Sequence, residues 1–171
     1  MSAPAVIDSL DLARGEQCVS DSLSVASLKR LEDVLFDSEG TLSFEIQGGR
    51  DERRRPQLML HITGELHLQC QRCLGLLRYP VEVVNTLLLV APGMPADENL
   101  DDVDAPDAIE ASPELDVRAL IEDEVLLSLP LSPRHEDGAC IERVEARAIG
   151  EVQHANAFAK LAALKASRSQ H

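Results

Sequence analysis

The chain has 171 residues and a formal charge of −14, from 16 Lys and Arg against 30 Asp and Glu. That length suits one domain that buries a core without disulfides. Three Phe, one Tyr and no Trp leave an aliphatic core and hardly any aromatic faces on which bases could stack.

No apolar run approaches the roughly 20 residues of a membrane-spanning helix. The opening MSAPAVIDSLDLARG has neither the basic segment nor the continuous apolar run of a secretory signal. Cysteines at 18, 70, 73 and 140 are irregularly spaced and do not read as a disulfide framework. A cytoplasmic location is the expectation that follows.

In chain order, SLSVASLKRLEDVLF places Val25, Leu28, Leu31 and Leu35 at helical spacing, with Ser24 or Asp21 to cap them. A helix is expected there. TLSFEIQ alternates, with Leu42, Phe44 and Ile46 on one face and Ser43 and Glu45 on the other, as a strand with one wet face does. GGRDERRRP is turn-rich and charged and reads as an exposed loop. LMLHITGELHLQC puts Leu58, Leu60, Ile62, Leu66, Leu68 and Cys70 on one parity, a long half-buried strand with a bulge or bend at Gly64. YPVEVVNTLLLVAP is a second strand, whose parity changes near Val83–Val84 and predicts another bulge. The two strands flank CQRCLGLLR, which predicts an antiparallel hairpin with two cysteines at its tip.

Residues 92–113 are rich in Pro, Ala and acids and lack periodicity, so they read as a flexible excursion. Residues 97–124 carry twelve acids and one base, Arg118, so most of the negative field is concentrated there. Such a field repels phosphate backbones and attracts basic partners. ELDVRALIEDEVLLSLP returns to helical spacing, with Asp116 as N-cap and Pro130 and Pro133 as stops. SPRHEDGACIERV is a loop carrying His135 and Cys140, NAFAKLAALKAS is a short helix with Phe158 and Leu161 along a face, and 166–171 is a polar tail. The sum is one domain, 1–171, of α+β class: an antiparallel bulged β-sheet, partly barrel-like, with packed helices. No glycine-rich phosphate loop, HExxH or serine elbow appears, so an enzyme is not expected.

The thiol pair in LQCQRCLG admits several readings. A redox pair needs its first cysteine at a helix N-terminus, whereas Cys70 ends a strand and Gly75 and Pro80 stand where the helix would run. A zinc knuckle needs two thiolates on a tight turn between strands, and CQRCLG suits it better. Four ligands close a structural site, so Cys70 and Cys73 would need His135 and Cys140, with zinc as the cofactor. The other reading packs Cys70 inward with Leu66 and Leu68 and leaves Cys73 and Cys140 without a metal. His61 and His67 are six residues apart on the polar parity, roughly 20 Å along a strand, and read as solvated.

CQRCL at a strand end, then IEDEVLLSLPLSPRHEDGAC, then NAFAKLAALK, resembles the YceD family of bacterial large ribosomal RNA subunit accumulation proteins, over about Leu42 to Lys165. The matching positions are Cys70, Arg72, Cys73 and Leu74, then Glu122, Glu124, Leu127, Leu129, Pro130, Pro133, His135 and Cys140. Some relatives carry further cysteines after the second motif in a CPxCG-like arrangement, where this chain has Cys140 alone. The resemblance implies a role in large-subunit ribosomal RNA accumulation, with no enzymatic activity assigned. Arg72, Leu74, Glu122 and Glu124, with the acids Asp101 and Asp102, are then the expected contacts to a basic ribosomal protein or an assembly intermediate. The alternative is direct binding of ribosomal RNA precursor through Arg50, Arg53, Arg54, Arg55 and Arg72.

Overall fold

The computed structural model describes residues 5–93, 107–136 and 139–140. The chain divides into a unit of residues 1–134 and a second of residues 135–171. Among the described residues, all regular elements lie in the first unit. They are β1 (Val6–Ile7), α1 (Ser9–Arg14), β2 (Cys18–Ser24), β3 (Thr41–Arg50), β4 (Pro56–Gln69), β5 (Leu76–Val90), β6 (Ala108–Glu110), β7 (Leu115–Asp116) and α2 (Val117–Ser128).

Strands β2, β3, β4, β5 and β6 form one sheet in that order, and β1 pairs with β7 in a two-stranded sheet. The α+β expectation holds, with strands predominating. The barrel-like element of it does not: β2 and β6 are separate edges and no described pairing joins them, so the sheet is open. Nor is the sheet wholly antiparallel, because β5 and β6 run parallel through Leu88↔Ala108 and Leu89↔Ile109. Residues 108–110, read from composition as part of the excursion, thus form a strand.

Alternation decides which face is dry. Leu42, Phe44 and Ile46 of β3 pair across to Gly64, Ile62 and Leu60 of β4, and Ile62 pairs on to Val83 of β5. All of these but Gly64 are buried apolar residues. Glu45, His61 and Val84 form the matching row on the wet face, and all three are exposed. The ladders keep one register through Gly64 and through Val83–Val84, so neither expected bulge is present. At Gly64 the glycine answers to crowding instead, since a Cβ there would lie 2.6 Å from Leu42 Cδ2 and 2.7 Å from the Thr41 carbonyl oxygen.

The helix expected over Ser24–Leu35 is absent. β2 runs to Ser24, and two 3₁₀ turns follow at Val25–Ser27 and Lys29–Leu31. Val25, Leu28 and Leu31 are still buried together, because spacing of three serves a 3₁₀ winding as well as an α-helix. Two helices close the core. Asp8 caps α1 by accepting from the Leu10 and Asp11 amides at 2.9 Å. Asp116 caps α2 as expected, accepting from the Ala119 amide at 3.1 Å. α2 buries Val117, Leu120, Ile121 and Val125. Among the described residues no helix is long and apolar enough to cross a membrane.

Candidate metal centre

β4 and β5 pair from Gln57↔Leu88 to Gln69↔Leu76, so Cys70 to Gly75 reverse the chain at the hairpin tip. The Cys70 amide donates to the Gly75 carbonyl at 3.0 Å, and the Leu74 amide donates to the Cys70 carbonyl at 2.8 Å. This tight turn carries Leu74 into the left-handed region at φ 56°, an uncommon conformation for a bulky side chain. Cys70 continues the inward parity of Leu66 and Leu68 and is buried, Cys73 is half-buried, and Gln71 and Arg72 between them are exposed. Two thiols thus flank a short turn between strands, the half-site that a zinc knuckle requires. Cys70's burial among the leucines serves the packing reading equally.

The Gln71 amide donates to the Pro133 carbonyl at 2.9 Å. The proline-stopped loop after α2 therefore runs beside the turn, and His135 follows Pro133 by two residues. Within the second unit, His135 Nδ1 lies 3.4 Å from Cys140 Sγ, and Cys140 is buried. Sulfur and nitrogen bound to one tetrahedral zinc at their usual bond lengths stand about 3.5 Å apart. Of the expected ligands, Cys70 and Cys73 belong to the first unit and His135 and Cys140 to the second, and each offers one ligand atom. None of the cysteines is in a disulfide.

The remaining expected residues are dispersed. Arg50 ends β3, and Arg53, Arg54 and Arg55 occupy the turn before β4. Asp51 Oδ1 accepts from the Arg55 amide and Asp51 Oδ2 pairs with Arg55 Nε, each at 2.7 Å. The 14 residues of β4 hold this turn about 45 Å from Arg72 along the strand. Leu74 is 59 % exposed. Glu122 and Glu124 are buried on α2: Glu122 accepts from the Arg30 amide at 3.4 Å, and Glu124 accepts from Asn85 Nδ2 at 2.8 Å. Their carboxylates anchor the helix to the Lys29–Leu31 turn and to β5. Asp101 and Asp102 lie outside the described residues.

Sequence reading missed one group. His67, expected to be solvated, has a side chain only 14 % exposed, with Nδ1 at 2.8 Å from Asp37 Oδ1. One ligand atom from each of Asp37, Glu39 and His67 lies within 4.8 Å of the others. The missing signal was the antiparallel bridge Leu35↔Leu68, which no periodicity in residues 32–40 announces.

Residues 58–165 match the family model described as large ribosomal RNA subunit accumulation protein YceD. The chain is also 30 % identical over 141 residues to a Haemophilus influenzae protein bearing the same description, covering 77 % of this chain and 76 % of that one. No solved structure matches the chain.

Proposed function

The chain belongs to the YceD family, and from that premise we propose that it is a non-catalytic cytoplasmic factor in large-subunit ribosome biogenesis. It promotes accumulation of the large-subunit ribosomal RNA by binding a basic ribosomal protein or an assembly intermediate. The observation that carries the role is the family match across the hairpin, α2 and the segment that follows. The mode of binding draws support from charge. With 30 acids against 16 bases, the chain attracts a lysine-rich partner and repels a naked phosphate backbone. Exposed Arg72 and Leu74 at the hairpin tip, with Asp101 and Asp102 of the acidic stretch, are the contacts assigned to that partner.

Zinc belongs to the same reading, as a structural ion on Cys70, Cys73, His135 and Cys140. Two thiolates on a tight turn, and a His–Cys pair at the separation of two zinc ligands, are its support. The ion would fix the turn that presents Arg72 and Leu74. Direct RNA binding fits less well, because its five arginines stand at opposite ends of β4 and Arg55 is paired with Asp51.

The test compares purified protein on naked large-subunit ribosomal RNA and on immature large-subunit particles, over a range of salt. Binding to particles, weakened by Asp101→Asn with Asp102→Asn, is expected, with little binding to naked RNA. Tight binding to naked RNA that falls steeply with salt and is lost in Arg53→Ala with Arg54→Ala would replace this mode by the direct one.

A further inference from the structure

Residues 34–36 extend the sheet where β3 has not yet begun. Leu35 bridges Leu68, the Phe36 amide donates to the His67 carbonyl at 2.7 Å, and the Gln69 amide donates to the Val34 carbonyl at 3.5 Å. These contacts hold the segment that carries Asp37 and Glu39 against the His67 end of β4. His67 lies on the parity that faces away from the core, opposite Arg78. Its imidazole is sandwiched between acids, with Asp37 Oδ1 at 2.8 Å from Nδ1 and Glu65 Oε1 at 3.7 Å from Nε2.

A neutral imidazole has one N–H. If Nδ1 donates it to Asp37, the lone pair on Nε2 faces the Glu65 carboxylate, and two electron-rich atoms confront each other. Asp37, Glu39 and Glu65 all gather around this one ring. Arg78 Nη1 is 3.3 Å from Glu65 Oε1, and Asp37 Oδ1 also accepts from the Glu39 amide at 3.0 Å. Among the described residues no Lys or Arg forms an ion pair with Asp37 or Glu39. The donors are already convergent, within 4.8 Å of one another, and the strand contacts fix them before any ion arrives. Ligand atoms about 2.0–2.2 Å from a common ion fall within such a span.

We propose that Asp37, Glu39 and His67 hold a divalent transition-metal ion that staples the 34–39 segment to β4. One imidazole and two carboxylates suit a borderline or hard ion rather than the soft ions that thiolates select. This centre is therefore chemically distinct from the thiolate set and does not depend on the ribosomal reading.

Manganese(II) is the probe, because it favours carboxylate oxygen over the thiolates that select softer ions, and its unpaired electrons report a bound imidazole. The full chain would be titrated with Mn²⁺ and followed by electron paramagnetic resonance, with pulsed detection of nitrogen-14 coupling to report imidazole coordination. The expected result is saturable binding of one ion with nitrogen coupling, the coupling lost in His67→Gln. Glu39→Gln, at an exposed position, should weaken binding tenfold or more. Absence of saturable binding, binding without nitrogen coupling, or coupling that survives His67→Gln would each overturn the site.

Discussion

Single residues carry the sharpest electrostatic contrasts, and the proposed zinc is tested through them. If zinc sits on Cys70, Cys73, His135 and Cys140, the chain purified without chelator holds about one zinc from that set. Cys73→Ser then lowers both metal content and melting temperature, by roughly 2–4 °C for each kcal/mol lost at this chain length. Melting that is unchanged by the substitution and by chelator would contradict the site. Asp51 supplies a pH signature. Burial pushes its carboxyl up, but hydrogen bonds from the Arg55 side chain and backbone outweigh that and hold it below the usual carboxylate range. A depressed folded-state pKa gives stability that is present above the unfolded value and lost as pH falls through the folded one. Asp51→Asn should therefore flatten the acid limb of the stability profile below about pH 4, which denaturant titrations at several pH values would measure. An acid limb as steep as that of the wild type would refute the coupling.

At the scale of elements, close approach rather than periodicity fixes how α1 meets the sheet. A Cβ on Gly48 would lie 2.2 Å from the Leu12 carbonyl oxygen, so the α1 backbone rests directly on β3. Gly48→Ala should cost at least roughly 1–3 kcal/mol as overpacking, read as a lower denaturant midpoint; a neutral outcome would mean that α1 shifts freely. The sequence reading found β3, the hairpin of β4 and β5, and α2 with its Asp116 cap, because each bears one clear periodicity or a local capping residue. It mistook the 25–31 segment, where spacing of three fits two windings. It assigned bulges where a constant register holds, since Gly64 serves close packing and Val84 is an apolar residue left 76 % exposed on the wet face. The short strands β1, β6 and β7 exist through pairing with distant partners, which no local pattern records. Of the sites, the cysteine pair was legible from its spacing. The Asp37–Glu39–His67 group was not, because a tertiary bridge assembles it.

The whole molecule is an acidic, aromatic-poor α+β chain, whose unit of residues 1–134 is built on one open sheet. In that unit one long hairpin holds an arginine-rich turn at one end and a thiol-bearing turn at the other. Its family membership assigns the chain to large-subunit ribosomal RNA accumulation. The most direct measurement is the ratio of large- to small-subunit ribosomal RNA in cells depleted of this protein, with and without a plasmid copy. The account predicts a selective fall in the large-subunit RNA, restored by the wild-type chain and restored less well by Cys73→Ser. An unchanged ratio on depletion, or an equal fall in both RNAs, would contradict it.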